Sequence, residues 1–174
     1  QYPEYQLFDK TVRDDIAFAP RNQGLSEAEI NERVLEAIKF TGISEDMLDK
    51  SPFELSGGQK RRVAIAGILA MRPEVLVLDE PAAGLDPRGR REILGGLSKY
   101  VKESGITLIL VSHSMEDMAY YCDNVVVMNG AQVFASGTVS EIFARADELE
   151  SIGLDIPVIS KIAIRLIERG VALD

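Results

Sequence analysis

The sequence has little cysteine and histidine, with one residue of each among 174. The single thiol, Cys122, excludes an internal disulfide framework and a zinc cluster built on cysteines. The apolar runs are short and interrupted, so we expect no membrane-spanning segment, and the pattern of a secretory leader does not occur. These absences favour a reducing, cytoplasmic setting.

Basic residues are fewer than acidic residues. Lysine and arginine number 19 against 28 aspartates and glutamates, which gives a formal net charge of −9. This balance disfavours nucleic acid as the main partner, because phosphate contacts require a basic face. One local basic patch, residues 60–62 (Lys-Arg-Arg), limits the weight of that argument. An apolar content of 46% predicts an ordinary globular core.

The sequence contains no G-x-x-x-x-G-K-S/T loop, the segment that holds the phosphates in many nucleotide-binding proteins. It begins with Gln1-Tyr2-Pro3 and without methionine, so we expect it to be part of a longer chain. Other parts of a nucleoside triphosphate site are nevertheless recognisable.

The first third of the sequence is predicted to be helical. Residues 26–29 form a capping box that opens a helix ending near Gly42, and a short helix is expected around residues 45–50. No convincing strand precedes residue 55. A second capping box, residues 138–141, opens another helix to about Arg145.

A parallel sheet is predicted downstream. Residues 75–78 and 107–111 are continuous apolar runs, typical of parallel strands covered on both faces. A helix over 88–103 would connect them as a right-handed crossover. Asn129-Gly130 predicts a hairpin. The remaining predicted elements are helices over 57–71, 115–121 and 157–169, and hairpin strands over 125–128 and 132–134.

Polar residues follow both predicted parallel strands. Asp79 and Glu80 end the first, where a carboxylate can hold Mg²⁺ through water and a neighbouring one can polarise an attacking water. An acid pair marking a strand end in solvent is an equal alternative for these residues alone. His113, at the end of the second strand, would share the rim with Glu80 if the strands are neighbours, and there it can contact a terminal phosphate. A lone histidine is otherwise more often an unremarkable loop residue.

Ser56, Gly57, Gly58 and Gln59 open a helix, so their backbone N–H groups form a candidate anion site. A tight turn before a packed helix is the alternative. Asp86 can contact the ligand or simply cap the next helix.

Two apolar surfaces stay open to more than one interpretation. Tyr2, Tyr5 and Phe8 either meet a partner or pack under the helices, and packing is favoured. The apolar stripe of residues 157–169 either seals the core or forms a dimer surface.

Together these segments resemble the ATP-binding cassette (ABC) ATPases, in an order and spacing that agree over about residues 1–145. The resemblance implies an α/β fold: a truncated P-loop NTPase with a parallel-sheet core, a helical subdomain and C-terminal helices. The matching segments are the signature motif at 55–59, the Walker B strand at 75–80, the D-loop at 84–86, the switch histidine at His113 and the Q-loop glutamine at Gln1. The implied parts are residues 1–54 (Q-loop and helical subdomain), 55–145 (the remaining ATPase core) and 146–174 (a C-terminal helical extension).

More narrowly, residues 1–18, 81–87 and 154–157 resemble the ATPase subunits of energy-coupling factor transporters, a group that includes cobalt and nickel uptake ATPases. The resemblance implies a peripheral protein on the cytoplasmic face of the membrane that powers uptake of a vitamin or metal ion. Its partners would be a second ABC ATPase subunit, identical or paralogous, and membrane subunits docking near residues 2–18, with no nucleic acid.

The family also implies roles for single residues. ATP with Mg²⁺ would lie between two subunits, with Asp79 and Gln1 at the metal and Glu80 as general base. His113 would clamp the γ-phosphate. Ser56, Gly57, Gly58, Gln59 and Asp86 would contact nucleotide. Because the phosphate loop is missing, we expect the 174-residue chain alone to bind ATP poorly and not to hydrolyse it.

Two other classes of function compete with a transport ATPase. A non-transport cassette ATPase that acts on chromosomes or ribosomes would usually carry coiled coils or basic arms, and this sequence shows neither. A purely structural module would have no need of Glu80 and His113.

Overall fold

The computed structural model describes residues 3–171, without the side chains of Pro3 and Glu168. The chain divides into two compact units, Gln1–Val111 and Ser112–Asp174. The three-part division of the sequence stays a prediction.

The first unit begins with a group of helices whose core is fully buried. Val12 and Ile16 of the first helix, Val34 of the second and Leu48 of the following segment are all 0% exposed. Pro52 begins a short turn before the third helix. The elements are α1 (Val12–Asn22), α2 (Glu27–Thr41) and α3 (Gly57–Leu69), with 3-10 turns at Pro3–Gln6, Glu45–Met47 and Pro52–Glu54.

The local signals for α2 are confirmed. The Ser26 hydroxyl accepts from the backbone N–H of Glu29, and the Glu29 carboxylate accepts from the backbone N–H of Ser26 at 3.0 Å, which completes the capping box. Gly42 ends the helix in the left-handed region, at φ 70°. The short helix expected around 45–50 is only a 3-10 turn, Glu45–Met47.

The predicted parallel pairing is confirmed. Strands β1 (Val75–Asp79) and β2 (Thr107–Val111) run parallel, in a register that pairs Val75 with Thr107 and Asp79 with Val111. Helix α4 (Pro87–Ser104) connects them. Parallel strands need such a crossover, and their carboxyl ends therefore meet at one edge.

The expectation that both faces of this sheet are covered is wrong for the described residues. Leu76 and Leu78 are buried, at 3% and 7% exposure, whereas Val77 is 60% exposed and Val111 is 49% exposed. A continuous apolar run does not reveal how many of its faces are covered, because every position carries the same kind of side chain.

The second unit combines a hairpin with short helices. Its strands pair antiparallel, and Gly130 and Ala131 turn with φ 55° and 61°. The turn therefore lies one residue beyond the predicted Asn129-Gly130, since Asn129 still pairs with Gln132. The elements are α5 (Met115–Tyr121), β3 (Asn124–Asn129), β4 (Gln132–Thr138), α6 (Val139–Phe143), α7 (Ala146–Ser151) and α8 (Val158–Glu168).

Helix α6 begins with the second predicted capping box, formed by Thr138 and Glu141. The apolar side chains of α8 are largely exposed, including Ile159 at 71% and Val158 at 61%. This exposure favours a surface over a sealing helix. Among residues 3–171, no helix combines the length and the apolar character that crossing a bilayer requires.

Candidate nucleotide site

Two consecutive acids stand at the carboxyl end of β1. Asp79 is the last residue of the strand and is exposed, and Glu80 is half-buried. The backbone N–H of Glu80 donates to the carbonyl of Val111 at 2.9 Å, so the acid pair is fixed to the end of β2. Glu80 has φ 48°, in the left-handed region that residues other than glycine rarely adopt. The chain therefore leaves the extended conformation of β1 at the second acid of the pair.

The β1 loop, residues 80–86, follows as two tight turns. The backbone N–H of Ala83 donates to the carbonyl of Glu80 at 3.1 Å, and that of Leu85 donates to the carbonyl of Ala82 at 3.3 Å. Gly84 has φ 73°, which suits a residue without a side chain. These bonds give the loop a definite shape.

Asp86 caps α4, as one of its two predicted roles requires. Its carboxylate accepts from the backbone N–H groups of Arg88, at 2.9 Å, and Gly89, at 3.0 Å. The hydrogen bonds from Gly89 and Arg88 lower the pKa of Asp86 below its usual value. Contact of Asp86 with a nucleotide stays a prediction.

The turn that opens α3 is suited to an anion. The Ser56 hydroxyl accepts from the Gln59 N–H at 3.3 Å, and the Gln59 amide oxygen accepts from the Ser56 N–H at 2.9 Å. The first turn carries no acidic residue. A side chain at Gly57 would meet nothing within 4 Å, which means that this position faces open space. The positive end of the helix is therefore accessible.

The same turn contacts the β1 loop. A Cβ atom at Gly58 would lie 3.4 Å from a methyl group of Leu85. Glycine at this position lets the β1 loop lie close against the start of α3. The Gln59 amide oxygen is already engaged in capping, so its predicted contact with nucleotide stays a prediction.

The remaining predicted site residues are not brought together within one unit. His113 is exposed and belongs to the second unit, two residues beyond the end of β2. Next to it, the Ser114 N–H donates to the Ser112 hydroxyl at 3.1 Å. The convergence of His113 with Glu80 stays a prediction. Gln1 lies outside the described residues.

Asp79 offers one exposed carboxylate as a possible magnesium ligand. Within residues 3–171, no group of three or more histidine, cysteine, aspartate or glutamate side chains is arranged to hold a metal. Mg²⁺ keeps several waters and commonly takes only one or two protein carboxylates together with phosphate oxygens. A single exposed aspartate at a strand end fits that mode of binding.

Two of the three residues in the basic patch at 60–62 are paired with carboxylates of the same chain. Arg61 is buried, at 4% exposure, and binds Glu4. The Arg62 guanidinium donates to Glu92 at 2.6 Å and to the carbonyl of Thr41 at 3.3 Å. Both guanidinium groups are therefore paired with carboxylates of the same chain, which reduces the positive charge that this patch can offer.

Arg61 and Glu4 are site residues that the sequence reasoning missed. A signal existed for Arg61, which lies four and eight residues before the buried Ile65 and Leu69 and therefore on the same face of α3. Glu4 has no comparable signal, because its partner is 57 residues away along the chain.

The expectation that the aromatic residues near the start pack inside was also wrong. Tyr5 is 83% exposed and Phe8 is 59% exposed, while Phe8 stacks edge-on against Phe18 at 4.8 Å between ring centroids. The core below is filled by aliphatic side chains such as Val12 and Ile16. Tyr2 lies outside the described residues.

Residues 2–83 of the chain match the model of the ABC transporter family. The parallel strand pair and the likeness to solved cassettes agree with the α/β fold of P-loop NTPases. The chain is similar to two curated relatives in particular. It is 57% identical to the energy-coupling factor transporter ATP-binding protein EcfA2 of Caldanaerobacter subterraneus subsp. tengcongensis, over 99% of this chain and 60% of the relative. It is 55% identical to the protein of the same description from Clostridium acetobutylicum, over 98% of this chain and 60% of the relative.

Solved structures give the same relationship. CbiO1 of Clostridium perfringens, described as part of the ABC transporter complex CbiONQ, is 45% identical with a TM-score of 0.75, over 92% of this chain and 64% of that one. A dimeric ATP-binding cassette in a post-hydrolysis state with ADP and Pi is 30% identical with a TM-score of 0.58, over 66% of this chain and 49% of that one. The chain thus spans about 60% of the length of the curated relatives it matches.

Proposed function

We propose that the complete protein is the ATP-binding and ATP-hydrolysing subunit of an energy-coupling factor importer that powers uptake of a vitamin or a metal ion such as cobalt or nickel. The observation that carries this proposal is the acid pair at the end of β1, where Asp79 is exposed and Glu80, with its backbone in the left-handed region, is half-buried. Two neighbouring carboxylates at one strand end can serve a metal and a water separately.

In this proposal Asp79 would hold the Mg²⁺ that accompanies ATP, and Glu80 would accept a proton from the attacking water. Bound Mg²⁺ would offset charge on the phosphates. His113 donates a hydrogen bond to the γ-phosphate. Gln1 senses the metal and the water and links them to the membrane subunits.

The signature turn acts on the nucleotide of a partner subunit. Gly57 and Gly58 present backbone N–H groups at an accessible helix end that Ser56 caps, which suits the γ-phosphate of an ATP bound mainly by the second cassette. Gln59 shapes this turn from within through its bond to Ser56. Asp86 fixes the neighbouring start of α4.

The docking segment, residues 2–18, is proposed to receive the membrane subunits on the cytoplasmic face. Its support is the exposed aromatic surface of Tyr5, Phe8 and Phe18, of which Phe18 is 44% exposed. Exposed aromatic side chains are enriched where proteins meet.

Substitution of Glu80 by Gln in the complete protein tests the proposal. Because a general base contributes roughly 10²–10⁴-fold to turnover, ATP hydrolysis should fall by about that factor while ATP binding persists. Glu74→Gln, an exposed acid just before β1, is the matched control and should keep normal turnover. Full activity of Glu80→Gln would remove Glu80 from the base role.

A second experiment separates the transport function from a non-transport cassette. The complete protein should co-purify with integral membrane proteins from its own source. Salt-sensitive binding to DNA, without membrane partners, would instead support chromosome or ribosome work. Arg61 pairs with Glu4 and Arg62 pairs with Glu92, which disfavours DNA binding through these arginines.

A further inference from the structure

The buried ion pair between Glu4 and Arg61 connects two parts of the proposed machine. We infer that Arg61 is a positioning residue that couples the docking segment to the β1 loop and to the signature turn. The inference rests on the proposed function and deepens it, because it names a physical link between the membrane-facing surface and the site of hydrolysis.

The guanidinium of Arg61 donates hydrogen bonds to two partners that are far apart in sequence, Glu4 and Ala83. Its Nε donates to Glu4 at 3.1 Å and its Nη2 donates to the other carboxylate oxygen at 3.0 Å. Its Nη1 donates to the carbonyl of Ala83 in the β1 loop. The side chains of Arg61 and Glu4 are only 5% and 16% exposed. The ion pair is therefore largely buried, and Ala83 is half-buried.

The planar guanidinium makes this link directional. Its N–H groups point outward from a rigid plane, so a bidentate bond to Glu4 fixes the direction in which Nη1 reaches Ala83. A shift of Glu4 consequently rotates or breaks the bond to the β1 loop. Lysine offers a single ammonium point charge and lacks this geometry.

A displacement of the β1 loop would affect both the acid pair at the end of β1 and the signature turn at the start of α3. Ala83 lies between the proposed base, Glu80, and the helix cap, Asp86. Leu85 of the same loop lies against Gly58, so the loop also touches the signature turn. The Pro3–Gln6 turn, which carries Glu4, packs directly on α3.

The charge of the pair is maintained at neutral pH. Burial acts to raise the pKa of Glu4, but the hydrogen bond and the positive charge of Arg61 outweigh it and hold the pKa below its ordinary value. The neighbouring Arg62 has different partners, Thr41 and Glu92, and makes no comparable contact with the docking segment among the bonds described above.

Hydrogen exchange on the complete protein tests the coupling without knowledge of the transported solute. Glu4→Gln keeps the shape of the side chain and removes its charge. Exchange should accelerate at residues 80–86 and 56–58, far along the chain from the substitution, as well as at residues 3–6. Gln6→Ala, at an exposed position in the same turn, is the matched control and should change only its own neighbourhood.

Arg61→Lys allows a second measurement, the stimulation of ATP hydrolysis by the membrane subunits. A residue with a merely structural role would leave this stimulation unchanged. The ratio of ATP hydrolysis by the complete protein bound to its membrane subunits to hydrolysis by the free protein should drop roughly fivefold or more, a typical size for coupling between sites. Arg72→Lys is the control, because Arg72 also binds two carboxylates, Glu32 and Glu36, but does so on the exposed helical surface. The double variant Glu4→Gln/Arg61→Lys should be no worse than Arg61→Lys alone.

Three outcomes would overturn the inference. The first is faster exchange spread evenly over the protein after Glu4→Gln, which would indicate a purely structural pair. The second is an unchanged activity ratio in Arg61→Lys. The third is wild-type protein that hydrolyses no ATP, which would overturn the proposed function and this inference together, whereas the first two overturn the inference alone.

Discussion

The helical part of the first unit and its two-stranded sheet differ in how they complete their cores. Side chains such as Ile16 and Leu48 in the helical part are fully buried by neighbours within the same unit. In the sheet, Val77 and Ile109 remain 60% and 48% exposed. The helical part is thus specified by its own residues, whereas the sheet leaves an apolar face that its own strands do not cover.

This difference matters because the proposed site lies across both regions. Glu80 is held at the end of the less covered sheet, while Gly57 and Gly58 open a helix of the well-packed part. The β1 loop and Arg61 connect the two regions.

The largest expected effect compares the two cores directly. Ile16→Ala removes a fully buried side chain, so the free energy of unfolding should fall by about 3–4 kcal/mol. Val77→Ala, on the open face of β1, should cost about 1 kcal/mol or less. Denaturant unfolding of both variants measures the contrast, and equal losses would mean that the sheet face is covered as well as the helical core.

The contact between α2 and α4 gives the next largest effect. A Cβ atom at Gly96 would lie 1.8 Å from the carbonyl oxygen of Phe40, so Gly96→Ala forces the two helices apart. We expect a loss of about 2–3 kcal/mol. Gly95→Ala meets nothing within 4 Å and should gain about 0.5–1 kcal/mol from helix propensity. Thermal unfolding of the pair distinguishes a packing effect from a propensity effect.

A smaller effect tests the local specification of the helices. Ser26→Ala removes the side-chain cap of α2 and should cost about 1 kcal/mol. Ser26→Asp can still accept from the backbone and should retain most of the stability. If both substitutions cost the same in chemical denaturation, the capping bond does not contribute as the structure implies.

The smallest effect appears in the pH dependence of stability. The hydrogen bonds from the Ser26 side chain and backbone lower the pKa of Glu29 below its ordinary value of 4.5. Glu29 therefore stabilises the folded protein above that pH, and the contribution is lost as the pH falls through the lowered pKa. Glu29→Gln keeps a capping acceptor without titrating. Its unfolding free energy should fall less steeply below pH 5 than that of the wild type, and an identical slope would contradict this account.

The features predictable from sequence are those set by neighbouring residues. The capping boxes at Ser26 and Thr138 and the end of α2 at Gly42 depend on chemistry within a few positions, and they are confirmed. The parallel pairing of β1 with β2 is also confirmed, because a helix-sized connection between two apolar strands predicts it. The hairpin was predicted one residue early, because both Asn129 and Gly130 tolerate the turn conformation and only the pairing of the strands decides between them.

Features set by distant residues were not predictable. The partner of Arg61 is 57 positions away, so a run of basic residues resembled a solvated patch. The open face of β1 depends on what packs above Val77, which a strand of uniform apolar residues does not reveal. The left-handed turn at Glu80 likewise depends on its bond to Val111, a residue of another strand.

The central claim is that the carboxyl ends of β1 and β2 carry residues that converge on one magnesium-bound triphosphate. An experimental structure of the complete protein with Mg²⁺ and a non-hydrolysable ATP analogue tests it most directly. We predict that the carboxylate of Glu80 and the imidazole of His113 both lie at the γ-phosphate, with Asp79 near the metal. A structure in which His113 and Glu80 lie on opposite sides of the nucleotide-binding sheet would contradict the claim.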